Sequence, residues 1–220
     1  MRTLGLLALG ETPRDDVTPT LTAILGPEVR IIQAGVLDGL SPPLVDALRA
    51  REGESPLETR LRSGHAIGLS KSALLPRLAA VAAMLARDCD AVLLLCSGEF
   101  PALAASCPTL IQPIHILRGV VSAVAKHRLL GVVGPAPDLP DAPAQWAPYA
   151  PRVICAAASP YEPVDVAIAA ARDLAGRGAE LLLLDDMGFG ERHRELVRSA
   201  TSLPVLCATT LAARALRELV

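Results

Sequence analysis

The 220-residue chain is predicted to be an α/β protein whose parallel strands are buried on both faces by helices. Two observations predict this class. Short apolar runs that end in Gly, Cys or Asp are typical of strands in a parallel sheet. The longer segments between them repeat apolar residues at the helical period, as Leu74, Leu78, Val81 and Leu85 do, and such a stripe covers a sheet.

In chain order, the apolar runs predict strands and the segments between them predict helices. The runs are four to six residues long, and the periodic segments are ten to fourteen, which separates the two kinds of element by length. The predicted strands are Leu4–Leu9, Val29–Ala34, Ala91–Cys96, Leu129–Val133, Val153–Ala156, Leu181–Leu184 and Pro204–Cys207. The predicted helices are Asp16–Leu25, Leu74–Arg87, Leu117–His127, Pro163–Gly176, Glu191–Thr201 and Thr209–Leu219.

One segment fits neither kind of element. Six prolines fall between Pro135 and Pro151, together with Trp146 and Tyr149. Because proline interrupts both helices and central strands, this segment is predicted to be a long, stiff surface loop. Long ordered loops in α/β domains are usually functional, so we expect it to border a site.

Composition excludes two classes of partner. Lys+Arg 21 against Asp+Glu 23 gives a formal net charge of −2, and only 2% of the residues are aromatic. A chain without a basic block or a base-stacking surface is not expected to bind nucleic acid. The apolar runs are far shorter than the roughly 20 residues of a membrane span, so no membrane partner is expected either. An acidic, Pro-containing turn follows the first run where a signal peptide would have small residues, and the expected location is cytoplasmic.

Five cysteines without a Cys-x-x-Cys pair predict neither a disulfide framework nor a zinc site, and no metal is expected. Cys96 differs from the others because it follows a fully apolar strand and precedes Ser97 and Gly98. Backbone N–H groups in such a turn lower the pKa of a thiol and make it a usable base or nucleophile. The alternative is a buried packing residue, which is the interpretation we give to the other cysteines, Cys89, Cys107, Cys155 and Cys207.

Two adjacent acids, Asp185 and Asp186, directly follow four leucines. A carboxyl group at the end of a buried strand is poorly solvated, which raises its pKa and suits general acid/base work. The alternative is that one of them caps the helix that begins near Glu191. His193 in the first turns of that helix is a further candidate site residue. It lies in the charged run Glu191–Glu195, and such residues usually lie on the solvent-exposed face of a helix.

The turn after the first strand leads into a helix N-terminus, which attracts anions. Thr12 and Arg14 in this turn are expected to hold a substrate carboxylate, and the alternative is an ordinary helix cap with a proline near the helix start. A similar tight turn, Gly134-Pro135, follows the mid-chain strand. Neither turn carries a dinucleotide-binding or P-loop pattern, so no cofactor is expected.

Two segments of the chain, one in each half, are similar in sequence. The segments Cys96–Phe100 and Asp185–Phe189 each follow a buried leucine-rich strand and contain a glycine and then a phenylalanine. In an open α/β sheet, ligands bind at the carboxyl ends of the strands. We therefore expect the two strand ends, one in each half, to face each other across a cleft.

Six segments of the chain form a recognisable set of motifs: Leu9–Val17, Leu37–Ser41, Thr59–Gly64, Leu94–Pro101, Leu184–Phe189 and Arg192–Arg194. Together they resemble the AroM family, over a stretch that runs from residue 4 to the C-terminus. This family looks like a distant branch of the aspartate/glutamate/hydantoin racemase superfamily, which includes maleate isomerases and arylmalonate decarboxylases.

The resemblance implies two pseudo-symmetric Rossmann-like subdomains with parallel sheets and a site in the cleft between them. We expect an N-terminal subdomain at residues 1–100 plus 208–220 and a second subdomain at residues 101–207. Cofactor-independent members of the superfamily place one cysteine on each side of the substrate's α-carbon. Cys96 falls on the first position, and Asp186, or less favourably Asp185, falls on the second. The expected substrate-binding residues are Thr12, Arg14, Ser97, Gly98, Glu99, Gly134, Pro135, Gly188 and His193.

A thiol and a carboxylic acid differ by about four pKa units in reference peptides, so this pair favours one-way chemistry over racemisation. The predicted function is a cofactor-independent isomerase, racemase or lyase that acts on a small carboxylate-bearing metabolite through Cys96. A mean hydropathy of +0.41 leaves apolar surface to bury, and a homodimer is expected. One alternative is a binding or regulatory protein that retains the cleft, and another is hydrolysis by a Cys96–His193 pair.

Overall fold

The structure is a computed structural model that describes residues 2–103 and 105–220. Residues 1 and 104, which fall within the two predicted subdomains, lie outside the described residues. Contacts along the chain divide it into two compact units. The first consists of Met1–Asp15, Leu25–Gln112 and Leu219–Val220, and the second of Asp16–Ile24 and Pro113–Glu218.

The first unit contains a four-stranded parallel sheet. Strands β1 (Arg2–Ala8) and β5 (Ala91–Leu95) lie in the middle, and β2 (Val29–Gly35) and β6 (Leu110–Ile111) form the edges, in the order β2-β1-β5-β6. Every residue of β5 is buried, as expected for a strand that helices or loops cover on both faces.

The remaining elements of this unit connect β2 to β5. Helix α2 (Pro42–Asp46) is followed by an antiparallel hairpin of β3 (Leu57–Arg60) and β4 (Ala66–Leu69), and then by the long helix α3 (Lys71–Asp88). The buried side chains of α3 recur at helical spacing, which confirms the predicted apolar stripe; they are Leu74, Leu78, Ala82 and Leu85.

The second unit contains another four-stranded parallel sheet. Strands β7 (Leu129–Gly134) and β9 (Leu181–Leu184) lie in the middle, with β8 (Arg152–Ala157) and β10 (Val205–Cys207) at the edges. Helices α1 (Thr18–Leu25) and α4 (Pro113–Val124) precede the strands of this sheet in the chain. Helices α5 (Ala142–Trp146), α6 (Val164–Gly176), α7 (Glu191–Thr201) and α8 (Ala208–Arg217) follow β7, β8, β9 and β10 in turn.

The two sheets have the same strand order. From one edge to the other, the strands lie in the orders β2-β1-β5-β6 and β8-β7-β9-β10. In both sheets the strand that comes second in the chain lies at one edge, next to the strand that comes first. The last paired residues at the carboxyl end of the central ladders are Ala8 with Leu95 in one sheet and Val133 with Leu184 in the other. Strands β5 and β9 therefore occupy equivalent places, and the residues that follow them can be compared directly.

The predicted α/β class and all of the predicted strands and helices are present, with shifts at their ends. Helix α4 differs most, because it begins at Pro113 and not at Leu117. A proline fits the first helical position, where its missing N–H would have no partner. The hairpin, β6, α2 and α5 are not among the predicted elements.

The expectation of a long, stiff surface loop between Pro135 and Pro151 is wrong in part, because short helical elements lie within it. The segment contains a single 3₁₀ turn at Ala136–Asp138 and the short helix α5, and both have a proline in their first turn, where proline is tolerated. Trp146 at the end of α5 is fully buried, so the segment is anchored in the interior of its unit.

The two units divide the chain differently from the predicted subdomains. The division falls at Gln112 and Pro113, not at residues 100 and 101, and residues 208–218 belong to the second unit. Helix α8 packs against α4 of that unit, which explains its place there. No helix in the described part of the chain is long and apolar enough to cross a membrane.

Candidate functional site

Cys96 is the first residue after β5 and is half-buried at the carboxyl end of the first sheet. The Gly98 N–H donates a hydrogen bond to Cys96 Sγ, with 3.2 Å between nitrogen and sulfur. This contact places a backbone dipole against the sulfur, where it favours the anionic form of a thiol. A methyl group on Gly98 would lie 3.3 Å from Sγ, a tight contact that would require the sulfur or the turn to shift by a few tenths of an ångström.

The turn from Cys96 to Phe100 is held by side chains from two other elements. Lys71 Nζ, at the start of α3, donates to the Glu99 carbonyl oxygen at 2.6 Å. The buried Gln112 accepts from the Phe100 N–H at 2.7 Å and donates to the Phe100 carbonyl oxygen at 3.3 Å. The thiol therefore lies on a turn whose backbone is fixed in place.

Thr12, an expected carboxylate-binding residue, donates to a carboxylate of its own chain. Its N–H and its hydroxyl group donate to the two carboxylate oxygens of Asp38, at 2.9 and 2.6 Å. The Gly35 N–H donates to the same carboxylate at 2.8 Å. Asp38 thus occupies the anion position that the sequence assigns to a substrate carboxylate. The motif that includes Asp38 contributes to the family resemblance, but nothing in the sequence shows this contact.

Arg14 is also less accessible than expected, because only 4% of its surface is exposed. Its backbone N–H donates to Gln33 Oε1 at 2.8 Å, which ties the loop after β1 to strand β2. An exposed arginine from another segment contacts the same loop. Arg62, from the unpredicted β3–β4 hairpin, donates from Nη2 to the Thr12 carbonyl oxygen at 2.6 Å, and its N–H donates to Glu11 at 2.6 Å.

In the second unit, the two adjacent aspartates have different surroundings. The Asp185 N–H donates to the Val133 carbonyl oxygen at 2.8 Å, so the β7–β9 ladder continues through this residue. Only 8% of its surface is exposed, and its Oδ2 accepts from the indole N–H of Trp146 at 2.9 Å. Asp185 therefore points toward the interior of its unit, where Trp146 holds it.

Asp186 lies one residue beyond the ladder and is half-buried. Its Oδ1 accepts from the Gly188 N–H at 2.6 Å. A methyl group on Gly188 would lie 2.6 Å from Pro160 Cγ, so this turn requires glycine.

The turns after β5 and β9 share one construction. In each, the first side chain beyond the strand ladder accepts a hydrogen bond from the N–H of a glycine two residues later: Cys96 from Gly98, and Asp186 from Gly188. The Asp185 backbone extends the strand instead, and its Oδ2 accepts from the Trp146 indole N–H. By the hydrogen bond to the glycine two residues later, Asp186 is the counterpart of Cys96.

His193 stabilises the start of α7. Its Nδ1 accepts from the Gly190 N–H at 3.3 Å, and its ring meets the edge of the Phe189 ring at 5.3 Å between centroids. Burial lowers the pKa of His193, and the nearby charge of Arg192 lowers it further. The neutral form, which can accept at Nδ1, is therefore favoured.

The Gly134-Pro135 turn closes the end of β7. The Gly134 carbonyl oxygen accepts from the Ala158 N–H at 2.9 Å, and a methyl group on Gly134 would lie 3.5 Å from the Asp185 carbonyl oxygen. The turn thus lies against the aspartate end of β9. Ser97, Glu99 and Gly134 all lie at the carboxyl ends of their sheets, where the sequence predicts them.

The other cysteines are less suited to reaction. Burial raises the pKa of Cys207 to about 11, and its thiol donates to the Phe189 carbonyl oxygen at 3.2 Å. Burial also raises the pKa of Cys89 and of Cys155. Within the described residues, no group of three or more His, Cys, Asp or Glu side chains is placed to hold a metal ion.

The fold and these strand ends define a class: a parallel α/β protein of two like-built units, with a thiol at one strand end and a carboxylate at its counterpart. The chain belongs to the AroM family, because the family model, described as AroM protein, matches residues 4–220. No curated protein sequence matches the chain.

Solved structures with a similar fold share little sequence with this chain. An allantoin racemase from Klebsiella pneumoniae is 15% identical with a TM-score of 0.60, and the match covers 100% of this chain and 87% of that one. An arylmalonate decarboxylase is 15% identical with a TM-score of 0.60, covering 98% and 92%. A maleate cis-trans isomerase from Nocardia farcinica is 14% identical with a TM-score of 0.61, covering 99% and 91%. These similarities show a shared racemase-type α/β fold.

Proposed function

We propose that the protein is a cofactor-independent isomerase, racemase or lyase that acts on a small carboxylate-bearing metabolite. In this proposal Cys96 is the acid/base or nucleophile, and Asp186 is the group at the second position. The observation that supports it most is the common construction of the two turns, each of which aims a glycine N–H at a side chain capable of proton transfer.

The chemistry of the pair favours a reaction that runs one way. Reference thiols and carboxylic acids differ by about four pKa units, so a proton does not move equally easily between them in both directions. In a decarboxylation, the substrate loses CO₂ and keeps the electron pair as an enolate-like anion. Cys96 then donates its proton to carbon and regains one from water. Backbone N–H groups of the strand-end turns stabilise the developing charge.

The names of the structural relatives agree with this class of reaction. They denote enzymes acting on allantoin, arylmalonate and maleate, and the isomerase structure holds a covalent succinylcysteine intermediate. Such an intermediate requires a nucleophilic thiol, which is the role that Cys96 is proposed to have here.

One of the proposed binding residues already donates to a carboxylate of the chain itself. Because Asp38 already accepts from Thr12, a substrate carboxylate at the loop after β1 would compete with it. The exposed Arg62 joins the expected set of Thr12, Arg14, Ser97, Gly98, Glu99, Gly134, Pro135, Gly188 and His193.

The test is proton exchange and turnover with a panel of small carboxylates in D₂O, followed by NMR. We expect wild-type protein to incorporate deuterium at, or release CO₂ from, at least one substrate, and Cys96→Ala to lose this activity while keeping its thermal midpoint. Cys155→Ala, which removes another half-buried cysteine, is the matched control and retains activity. Full turnover by Cys96→Ala would contradict the mechanism.

A second candidate is a ligand-binding or regulatory protein that has kept the strand-end site. The observation that favours it is that a carboxylate, held within its own turn by Gly188, stands where a second thiol would be needed for racemisation. Calorimetry with the same panel separates the two: binding without turnover, together with a Cys96 no more reactive toward iodoacetamide than free cysteine, supports this candidate.

We also propose that the protein works in the cytoplasm as a homodimer. All five cysteines are free thiols, which suits a reducing compartment. Light scattering after size-exclusion chromatography tests the dimer, and a mass equal to the 22.9 kDa chain would contradict it.

A further inference from the structure

We propose that Lys71 is a positioning residue for the Cys96 thiol: it fixes the Cys96–Phe100 turn so that the Gly98 N–H stays on the sulfur. This inference rests on the proposed function, because it assigns the thiol a reaction to be positioned for. It names a residue outside the expected catalytic and binding set.

The backbone of Lys71 is fixed by the start of a helix, and its side chain is exposed. Lys71 is the first residue of α3, and the preceding Ser70 caps this helix by accepting from the Ala73 N–H at 3.4 Å. From there its ammonium group reaches a segment 28 residues further along the chain, where it donates to the Glu99 carbonyl oxygen at 2.6 Å and lies 4.7 Å from the centre of the Phe100 ring. The ring face attracts the cation and adds to the hydrogen bond.

Lys71 and Gln112 bind opposite ends of one peptide group. The Glu99 carbonyl and the Phe100 N–H belong to the same planar peptide group, so fixing both fixes the orientation of the plane. Lys71 binds the carbonyl, and the buried Gln112 binds the N–H. One peptide group separates this plane from the one that carries the Gly98 N–H.

The contact between Lys71 and the Glu99 carbonyl oxygen affects the sulfur because the intervening residue is Gly98. Glycine has no Cβ to restrict its backbone, so the Gly98 N–H stays on Sγ only while the turn is held on its far side. Without Lys71, Gln112 alone would hold the plane, and the glycine would gain freedom to rotate its N–H away from the sulfur.

Lys71 also contributes charge at this end of the sheet. Charged side chains of the surrounding elements include Glu99 within the turn, Glu11 and Arg14 after β1, and Asp38 after β2. They also include Arg62 of the β3–β4 hairpin, which binds the Thr12 carbonyl oxygen, and Arg77 on α3, whose guanidinium binds the Val36 and Asp38 carbonyl oxygens. The hydrogen bond of Lys71 ends on the Cys96 turn itself.

The test is the pH profile of Cys96 alkylation by iodoacetamide in the intact native protein, with each cysteine followed by peptide mass spectrometry. We expect Lys71→Met to move the profile to higher pH and to lower the Cys96 rate constant near pH 7 by about threefold to tenfold, as loss of a charge-assisted contact would. Lys71→Arg keeps a donor of similar reach and should restore most of the rate. Lys126→Met, which removes an exposed lysine of the second unit, is the matched control and leaves the profile unchanged.

The outcomes separate this inference from the proposed function. A reactive wild-type Cys96 with the same profile in Lys71→Met overturns the role of Lys71 and leaves the thiol chemistry standing. A rate lowered equally at every pH would indicate altered access only, and would also overturn it. A wild-type Cys96 that reacts no faster than free cysteine at any pH contradicts the proposed function itself.

Discussion

Asp38 is a carboxylate that the protein supplies to its own anion site. Three donors converge on it: the Thr12 N–H, the Thr12 hydroxyl and the Gly35 N–H. Anion positions at strand ends are usually associated with ligands, but here the donors fix the loop after β1 to the loop after β2. This loop carries residues of the proposed site, so its order depends on an internal carboxylate.

Asp38→Ala should therefore leave a vacant site for a small carboxylate. We expect the variant to lose roughly 1–3 kcal/mol of unfolding free energy, because donors lose a charged acceptor. Formate should return part of this loss by occupying the vacated position, and should have little effect on the wild-type protein. Thermal midpoints with and without formate measure both effects.

The matched control for this variant is Asp46→Ala. It removes an exposed carboxylate that pairs with Arg49 on the surface, and such pairs contribute little. A midpoint of Asp38→Ala that formate does not raise would contradict the internal-anion explanation.

The sequence predicts which residues lie at the strand ends, but it does not predict their hydrogen-bond partners. Cys96 and the pair Asp185 and Asp186 could be chosen because they follow buried apolar runs, and chain order places them at strand ends. The preference for Asp186 within the pair comes from the family resemblance. The partners of Thr12 and Asp185 could not be predicted, because Asp38 and Trp146 are 26 and 39 residues away and only tertiary structure brings them close.

At the scale of elements, the short helix α5 shows how a proline-rich segment becomes ordered. Trp146 ends this helix, is fully buried, and donates its indole N–H to Asp185. The same contact thus anchors the segment and binds the aspartate next to Asp186.

Trp146→Phe should keep most of the packing and lose this hydrogen bond. We expect a loss of roughly 1–3 kcal/mol of unfolding free energy, because a buried carboxylate loses a donor. Urea denaturation followed by circular dichroism measures it. Tyr149→Phe retains the neighbouring ring, 6.3 Å from Trp146, and serves as the control that changes stability little. Equal stability of Trp146→Phe and wild type would show that the indole N–H contributes nothing.

Helix α7 depends on a neutral histidine at its start. Burial lowers the pKa of His193, so the unfolded chain binds this proton more readily than the folded protein does. The contribution of His193 to the free energy of unfolding has its full value above the ordinary histidine pKa of about 6.5 and falls as the pH drops below it.

We therefore expect wild-type protein to lose more stability than His193→Gln between neutral and mildly acidic pH. Denaturant midpoints at a series of pH values give the comparison. His115→Gln, which replaces an exposed histidine on α4, should follow the wild-type curve. Parallel curves for wild type and His193→Gln would mean that protonation of His193 is not linked to unfolding.

Elements differ in how well sequence predicts them, for reasons of size and burial. Leu181–Leu184 is a continuous buried run and is predicted without error. The β3–β4 hairpin has four-residue strands that include Glu58 and Arg60, and the two residues of β6 carry too little pattern to detect. The hairpin strands pair with each other and β6 pairs with β5, but strands this short carry too few residues for the pattern to indicate the pairing.

At the scale of the whole molecule, the repeated strand order gives two turns of one design with different chemical groups. Asp186 shares the glycine hydrogen bond of that design with Cys96. Asp186→Asn keeps an oxygen for the Gly188 N–H and removes the ability to carry a proton as a carboxylic acid. We expect it to lower turnover by about a hundredfold or more, as loss of a general acid or base does, with an unchanged thermal midpoint.

Asp185→Asn is the neighbouring control, because Asp185 continues the β7–β9 ladder and binds Trp146 within its own unit. It should change stability and tryptophan fluorescence, while turnover stays within a few-fold of wild type. The reverse result, with turnover lost in Asp185→Asn and kept in Asp186→Asn, would assign the second position to Asp185. That result would also mean that distance from the strand end, and not the hydrogen bond to glycine, determines the counterpart of Cys96.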